Sequence, residues 1–329
     1  MAARPPARHT VRRRVSRRRY MLRRAVALLL AMAVVFGFVR FAGAVLGTSG
    51  QHIAASAPTS ESPAPTDARN TVANVAATQP ASEPTEPTVA PTTTELQPKP
   101  ISTPTQDNPA VLYIAGDSDA GTFGPYLQKL MNETGVVKTV LDYKVSSGLA
   151  RPDFFDWPAH FAAQIPEVNP DIVVVTFGGN DGQGLTNQAG KFVDGRPTGD
   201  AAKDAGWRTE YGTRVGAVMD YLSGLNRTLV WVGIPNNVDP NVTARMQVQD
   251  EVVKAEAAKR PDVVVIDTWA RFSGRNGGYG EYVIDPRDGI GKDVRAKDGF
   301  HLNETGAEIL ALDIAQAIRT ILASRGATL

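Results

Sequence analysis

The sequence predicts an α/β fold in which helices cover both faces of a parallel sheet. Short apolar runs alternate with stretches of helical periodicity along residues 108–329, as expected when each parallel strand is followed by a crossover helix. The runs are short and bounded by glycine or polar residues, which is typical of strands. A strand that is buried on both faces consists of apolar residues without polar alternation, and the clearest runs here are of this kind.

Five strands and five helices are predicted in order. The strands are expected at residues 111–115, 136–145, 172–177, 229–233 and 263–266. The helices are expected at residues 125–133, 157–164, 209–225, 242–260 and 305–325. The last helix has apolar residues at helical spacing, namely Leu310, Ile314, Ile318 and Ile321. Its first turn offers two caps, a capping box of Thr305 and Glu308 or the side chain of Asn303.

Two long stretches, residues 182–206 and 272–297, lack clear periodicity. Long loops in a compact domain are often binding loops or lids, although tolerated surface insertions are nearly as common. In the second stretch, residues 282–284 and 293–295 are expected to pair as a small hairpin.

The N-terminus predicts export across a membrane. Residues 1–24 contain ten Arg and no acidic residue, and the apolar segment 25–46 follows, long enough to span about 30 Å of hydrocarbon. The arginines would stay in the cytoplasm and the rest of the chain would lie outside. The alternative is a signal peptide cleaved near Ala42-Gly43-Ala44, and residues 16–22 loosely resemble a twin-arginine signal. We favour the uncleaved transmembrane anchor of a bacterial cell membrane protein; either reading predicts an extracytoplasmic domain, tethered or secreted.

A linker separates this segment from the domain. Residues 47–107 are rich in Pro, Thr, Ser and Ala and contain little that could build a core. Such a composition predicts an extended, disordered segment. The remaining 222 residues, 108–329, are long enough for one domain with a substantial core.

Charge and cysteine content exclude several classes of function. The chain has a net charge of +1, but residues 25–329 carry 25 basic and 34 acidic side chains, a net charge of −9. An acidic domain argues against nucleic acid as the main partner. The chain has no cysteine, which excludes disulfides and thiolate chemistry.

Two loops that follow predicted strands carry side chains suited to catalysis. Ser118 lies in the turn after the first strand, and Asn180 lies in the glycine-rich loop after the third. Parallel strands end at the same edge of a sheet, where open α/β folds bind ligands, so these loops are expected to face each other. A serine hydroxyl can act as a nucleophile, and an asparagine amide can stabilise an oxyanion. Both loops also have ordinary turn composition, so neither is decisive alone.

Histidine is scarce in the domain, which contains only His160 and His301. Asp298 precedes His301 by three residues, close enough for its carboxylate to accept the Nδ1 proton and fix the tautomer. Nε2 of His301 would then take the proton of Ser118. His160 lies in an aromatic stretch, where a structural packing role is expected. Two histidines without the H-E-x-x-H spacing do not predict a metal site, and no cofactor is expected.

Taken in order, four sequence blocks resemble those of the SGNH (GDSL-type) hydrolases. They are Gly116-Asp117-Ser118, Gly148, Gly-x-Asn-Asp at residues 178–181, and Asp-x-x-His at residues 298–301. The resemblance covers essentially all of residues 108–329, and the stretch 148–158 resembles an exported bacterial branch known mainly as a domain of unknown function. It implies a three-layer α/β/α sandwich with a flavodoxin-like, five-stranded parallel sheet in the order 2-1-3-4-5.

The resemblance also implies a role for each block. Ser118 is the expected nucleophile, His301 the base, and Asp298 the residue that orients the base. The expected oxyanion hole comprises the backbone N–H groups of Ser118 and Gly148 and the side chain of Asn180.

Asp119 departs from the family pattern, because leucine is usual at this position. An acid beside the nucleophile would repel anionic substrates, so the departure concerns substrate class more than catalysis. Location and linker, rather than a motif, suggest small acyl esters such as acetyl on cell-envelope polysaccharide. An O-acyltransferase with the same serine chemistry and a non-catalytic binding or scaffold protein are the alternatives.

Several aromatic and basic residues are candidates for contact with a glycan. Core packing is expected for Trp157 and Tyr211, whereas Trp207 and Tyr279 lie in polar or glycine-rich stretches and are expected to be exposed rings. Arg295 is expected at the surface, solvated or in an ion pair.

Overall fold

Five strands form one parallel sheet in the computed structural model, which describes residues 97–329. In chain order the elements are β1 (Ala110–Gly116), α1 (Ser118–Asn132), β2 (Val137–Tyr143), α2 (Trp157–Val168), β3 (Ile172–Thr176), β4 (Leu185–Thr186), β5 (Phe192–Asp194), α3 (Ala205–Ser223), β6 (Thr228–Val232), α4 (Pro240–Ala258), β7 (Val264–Ile266), α5 (Thr268–Arg271), β8 (Tyr282–Ile284), β9 (Gly291–Asp293) and α6 (Glu304–Ser324). The sheet has the order β2-β1-β3-β6-β7, and every pair is parallel. Counted within the sheet, this is the predicted order 2-1-3-4-5.

Helices cover both faces of the sheet. Each strand turns alternate side chains to opposite sides, so its side chains are buried on both faces. In β1, Leu112 and Ile114 join an apolar cluster with α1 and α6, whereas Tyr113 and Ala115 join a second cluster with α2, α3 and α4. All four side chains are inaccessible to solvent. The structure is therefore the predicted three-layer α/β/α sandwich, and a strand buried on both sides explains why β1 is so apolar in the sequence.

Helix α1 begins at Ser118 rather than at residue 125. The prediction was wrong because Gly121 and Gly124 have low helix propensity and suggested a loose turn. In the structure a Cβ at Gly121 would lie 2.6 Å from Cε2 of Tyr143, and one at Gly124 would lie 2.5 Å from Cδ1 of Leu141. The glycines thus let α1 pack closely against β2, and this tertiary contact outweighs their helix propensity.

Helix α6 takes the second of its two predicted caps. Oδ1 of Asn303 accepts the backbone N–H of Gly306 at 3.0 Å, which makes Asn303 the N-cap. The capping box does not form, because the helix already begins at Glu304 and Thr305 lies inside it; Glu308 accepts a hydrogen bond from Arg287 at 2.6 Å. The cap fixes the point at which the loop carrying His301 ends.

Each long segment without periodicity contains a small antiparallel hairpin. Strand β8 pairs with β9, two residues earlier than the predicted partner 293–295. The difference arises because Arg295 forms an isolated bridge with Leu302 instead. The hairpin of β4 and β5 was not predicted; β4 has only two residues, too few to show a period.

The last residues assigned to the linker contact the domain. Nζ of Lys99 donates to the carbonyl oxygen of Asn169 at 3.0 Å and to the carboxylate of Asp171 at 2.8 Å. Asn226 donates to the carbonyl oxygen of Lys99 at 3.0 Å. These contacts lie at the amino-terminal edge of the sheet, where β3 and β6 begin.

The predicted cytoplasmic segment 1–24, the membrane anchor 25–46 and the linker up to residue 96 lie outside the described residues. Within residues 97–329, none of the helices combines the length and the apolar character needed to cross a membrane.

Candidate active site

Ser118 lies where β1 gives way to α1, at the carboxyl edge of the sheet. Oδ1 of Asp117 caps the helix by accepting the backbone N–H of Asp119 at 2.9 Å, so α1 starts at Ser118 itself. The first N–H groups of a helix have no partner within the helix, and the helix dipole places partial positive charge there. The backbone around Ser118 is therefore suited to a developing negative charge.

Asp117 also joins the serine turn to the loop after β3. Its Oδ2 accepts the backbone N–H groups of Gly178 at 3.1 Å and Gly179 at 3.2 Å, and the side chain is fully buried. Burial raises the pKa of Asp117 to about 7; the charge of Asp181 acts in the same direction, and the backbone N–H groups oppose the rise. Asp117 thus holds the first and third blocks together, a role that was not predicted from the sequence.

His301 approaches Ser118 from the loop before α6. Nε2 of His301 lies 2.8 Å from Oγ of Ser118, and Nδ1 lies 2.7 Å from Oδ2 of Asp298. Oδ1 of Asp298 accepts the backbone N–H groups of Phe300 at 2.9 Å and His301 at 3.0 Å. Partial burial acts to raise the pKa of Asp298, but these hydrogen bonds and the neighbouring imidazole hold it below its ordinary value. A carboxylate at Nδ1 places the ring proton there, which leaves Nε2 free to accept a proton from Ser118.

The two other predicted donors lie side by side. Nδ2 of Asn180 donates to the carbonyl oxygen of Ser147 at 3.1 Å, which ties Asn180 to the turn that carries Gly148. An amide nitrogen has two N–H groups, so Asn180 keeps one for a ligand. The structure therefore brings the second and third sequence blocks together.

Asp181 fixes the turn of Gly148 from behind. Its carboxylate accepts the backbone N–H groups of Leu149 and Ala150, each at 2.9 Å, and the hydroxyl of Tyr211 at 2.8 Å. Burial raises the pKa of Asp181, and the N–H groups of Ala150 and Leu149 oppose the rise. A Cβ at Gly148 would lie 2.0 Å from Oδ1 of Asp181, so only glycine fits here. This role of Asp181 was not predicted from the sequence.

Asp119 is buried beneath the site rather than exposed at its mouth. The residue is 6% exposed, and its Oδ2 has no hydrogen-bond partner among the described residues. Burial raises the pKa of Asp119 well above its ordinary value, and the charge of Asp117 acts in the same direction. Repulsion of anionic substrates needs an exposed charge, so this burial removes the physical basis of that expectation.

His160 takes part in packing, as expected. Its Nε2 lies 2.7 Å from Oδ2 of Asp142, and its ring packs against those of Phe155 and Trp157. It contacts none of the four blocks through these interactions.

The predictions for exposed rings and for Arg295 need correction. Trp207 is buried and stacks on Tyr211 with 4.6 Å between ring centroids, because its polar stretch is the start of α3. Tyr279 is partly buried, and its ring centroid lies 4.9 Å from the guanidinium carbon of Arg295. Arg295 itself is buried rather than solvated or ion-paired at the surface.

An exposed ring one helical turn along α1 from Ser118 was not predicted from the sequence. Tyr143, at the end of β2, is 49% exposed, and its ring packs on Gly121, one helical turn after Ser118. Its strand is interrupted by polar residues, so nothing in the sequence distinguished this ring from a core aromatic.

A cavity of about 600 Å³ lies beside the second block. Leu149, Asp156, Gln188 and Arg214 are among the residues that line it, whereas Ser118, Asn180 and His301 are not. No group of three or more His, Asp or Glu side chains in residues 97–329 is arranged to hold a metal ion.

A parallel sheet in the order 2-1-3-4-5, with these four blocks meeting at its carboxyl edge, defines the SGNH hydrolase class. The chain belongs to DUF459, a family described as a protein of unknown function, whose model matches residues 111–317. The expected membership of an SGNH branch without known function is confirmed.

Several solved structures are similar to this one. A lipase/acylhydrolase from Enterococcus faecalis is 16% identical over 65% of this chain and 96% of its own, with a TM-score of 0.41. A GDSL-like lipase from Bacteroides thetaiotaomicron is 13% identical over 67% of this chain and 92% of its own, with a TM-score of 0.44. The acetyl xylan esterase AlAXEase is 16% identical over 63% of this chain and 98% of its own, with a TM-score of 0.40. No sequence among the curated proteins matches the chain. Similarities at this level carry no conclusion about activity.

Proposed function

We propose that the domain is a serine ester hydrolase with Ser118 as its nucleophile. The observation that carries the proposal is the continuous series of hydrogen bonds from Oγ of Ser118 through His301 to Asp298. A serine hydroxyl is a weak nucleophile and needs an adjacent base that a third group orients. Separations of 2.8 Å and 2.7 Å lie within the range that proton transfer requires.

The reaction has two halves. Nε2 of His301 takes the hydroxyl proton as Oγ of Ser118 attacks the ester carbonyl carbon, whose oxygen becomes an oxyanion. The intermediate then breaks its bond to the alcohol, which leaves with the proton from His301, and Ser118 carries the acyl group. Water next gives a proton to His301 and attacks the acyl-serine, which releases the carboxylic acid and returns the proton to Ser118. Asp298 stabilises the imidazolium in both halves.

The oxyanion forms at the start of α1. The proposed donors are the backbone N–H groups of Ser118 and Gly148 and the second N–H of Asn180. One such donor typically lowers the barrier by about 3 kcal/mol, provided that it is already in place. Asp117 and Asp181 supply this preorganisation, because they hold the loops that carry the donors.

We propose small acyl esters, acetyl above all, on cell-envelope polysaccharide as the substrate. The basic N-terminus, apolar segment and proline-rich linker support a tethered or secreted domain outside the cytoplasmic membrane, where acylated glycans are accessible. The exposed ring of Tyr143 supports a sugar ligand, since a tyrosine combines a flat apolar face with a polar tip.

The test uses the purified full-length protein and its Ser118→Ala variant. Each is incubated with a fluorophosphonate probe and with p-nitrophenyl esters from acetyl to octanoyl. We expect labelling and hydrolysis only with the native serine, with acetyl the fastest ester, and release of acetate from an acetylated polysaccharide.

Other results identify the alternatives. Labelling without hydrolysis, followed by turnover when a saccharide acceptor is added, would identify an O-acyltransferase. A preference for octanoyl would point to lipid esters. A folded native protein that shows neither labelling nor hydrolysis would overturn the nucleophile assignment and leave a non-catalytic binding or scaffold role.

A further inference from the structure

A buried arginine lies behind the loop that carries His301. Arg295 is 6% exposed, and all five N–H donors of its guanidinium are used within the protein. The acceptors are the carbonyl oxygens of Gly280 (2.9 Å), Asn236 (3.1 Å), Phe300 (3.0 Å) and Phe272 (2.9 Å) and the side-chain oxygen of Asn236 (2.8 Å).

These acceptors belong to three separate parts of the chain. Asn236 follows β6, Phe272 and Gly280 follow α5, and Phe300 lies in the loop before α6. The first two parts follow the paired strands β6 and β7, and Arg295 links both of them to the loop that carries His301. The aromatic ring of Tyr279 lies against the guanidinium on one side.

Stability alone does not explain a charge in this place. Every acceptor of Arg295 is an uncharged oxygen. Burial lowers the pKa of Arg295 to about 10, against the opposing effects of Tyr279, Asp119 and Asp298, so the side chain remains charged at neutral pH. A buried charge is costly unless it is hydrogen-bonded, and here all five N–H groups have acceptors, so the guanidinium is fixed in one geometry.

Arg295 fixes the geometry of the loop that carries His301. Arg295 and Leu302 form an isolated antiparallel bridge, and the N–H of Ala296 donates to the carbonyl oxygen of His301 at 2.8 Å. Within this closed loop, the carbonyl of Phe300 accepts from Arg295, while its N–H donates to Asp298. Arg295 therefore holds the residue next to His301 and, through it, the carboxylate that orients the imidazole.

We propose that Arg295 is a positioning residue that keeps His301 and Asp298 aligned with Ser118. It touches neither the substrate nor the reacting atoms. The expected effect of Arg295 on kcat rests on the proposed esterase function. Its expected effect on the position of His301 does not. Misplacing a reacting group by about 1 Å can cost about 100-fold in rate.

The test compares Arg295→Lys with a matched arginine at the opposite edge of the sheet. Lysine keeps the charge but has three donors on one nitrogen, so it cannot reach all five acceptors. In the control, Arg325→Gln, the native arginine donates to the carbonyl oxygen of Asp171 at 3.2 Å and the hydroxyl of Thr228 at 2.7 Å. We expect Arg295→Lys to lower kcat for p-nitrophenyl acetate by about 10–100-fold with KM nearly unchanged, and Arg325→Gln to leave both unchanged.

A second measurement reports geometry without activity. We expect the Nδ1 proton of His301, which is hydrogen-bonded to Asp298, to give a far-downfield proton NMR resonance in the full-length protein. We expect this resonance to persist in Arg325→Gln and to be lost or broadened in Arg295→Lys. If the native protein hydrolyses no ester but the resonance follows this pattern, the proposed function fails and the positioning role stands.

A folded Arg295→Lys variant with native kcat and an unchanged His301 resonance would overturn the proposal. If that variant does not fold, Asn236→Ala decides, because it removes a single acceptor of Arg295. Loss of the resonance and a fall in kcat in Asn236→Ala support the positioning role, and native values for both refute it.

Discussion

Asp181→Asn should damage the proposed oxyanion hole without touching any reacting atom. Both oxygens of Asp181 now serve as acceptors, for the N–H groups of Leu149 and Ala150 and for the hydroxyl of Tyr211. Asparagine offers one oxygen and one NH2 group in the same space. At least one backbone N–H in the turn after Gly148 then loses its acceptor and faces a donor.

The expected losses of stability and of kcat follow from the hydrogen bonds that Asp181→Asn removes. A hydrogen bond to a charged group contributes about 1.5–3 kcal/mol, and a buried donor left unpaired costs about 1–3 kcal/mol. Asp181→Asn should therefore lower the free energy of unfolding by about 3 kcal/mol. A shifted turn also withdraws the N–H of Gly148, and loss of one oxyanion donor corresponds to a fall in kcat of about 100-fold or more.

Urea unfolding and steady-state hydrolysis of p-nitrophenyl acetate measure the two effects. Asp171→Asn is the matched control, because Asp171 is a buried acid that accepts the N–H of Val111 at 2.7 Å and Nζ of Lys99 at 2.8 Å at the opposite edge of the sheet. We expect both variants to lose stability but only Asp181→Asn to lose kcat. Equal kcat values for the two variants would refute the argument.

Three further predictions concern the site. Asn180→Ala should lower kcat about 100-fold or more with its fold intact by circular dichroism; an unchanged rate would remove Asn180 from the oxyanion hole. Tyr143→Ala should raise KM for an acetylated polysaccharide but not for p-nitrophenyl acetate, with Tyr143→Phe as the control; equal effects on both substrates would exclude a sugar contact. The raised pKa of Asp117, about 7, means that the folded state binds its proton more tightly than the unfolded state, so this residue's contribution to stability falls as the pH rises from about 4 to 7. Urea unfolding at both pH values should show a smaller fall in Asp117→Asn, and an identical fall would contradict this assignment.

Local sequence predicted much of the fold because the sheet is buried on both faces. The apolar run of β1 reflects contacts that any neighbour of that strand would make, so it is visible without knowing the partners. The start of α1 was missed because it depends on one particular neighbour. Gly121 and Gly124 lie inside α1 because β2 approaches so closely that a larger side chain would not fit there.

In the candidate site, too, some residues could be predicted from the sequence and others could not. Ser118, Asn180, Asp298 and His301 lie in short motifs, and parallel strands that end at one edge of a sheet predict that such loops meet. The supporting residues could not be found this way. Asn236 and Arg295 are 59 residues apart and Leu149 and Asp181 are 32 apart, so neither contact has a local signal. Only the fold shows that these loops are neighbours.

The contacts of Lys99 lie at the edge of the sheet opposite the candidate site. This residue lies at the amino-terminal edge of the sheet, beside Asp171, and β3 runs from there to the loop of Asn180 over five residues, or about 16 Å. Residues 97–99 therefore meet the domain at the edge of the sheet opposite Ser118. If the domain is held to a surface through this end, as proposed, the edge that carries Ser118 faces away from the point of attachment and stays open to a long polymer.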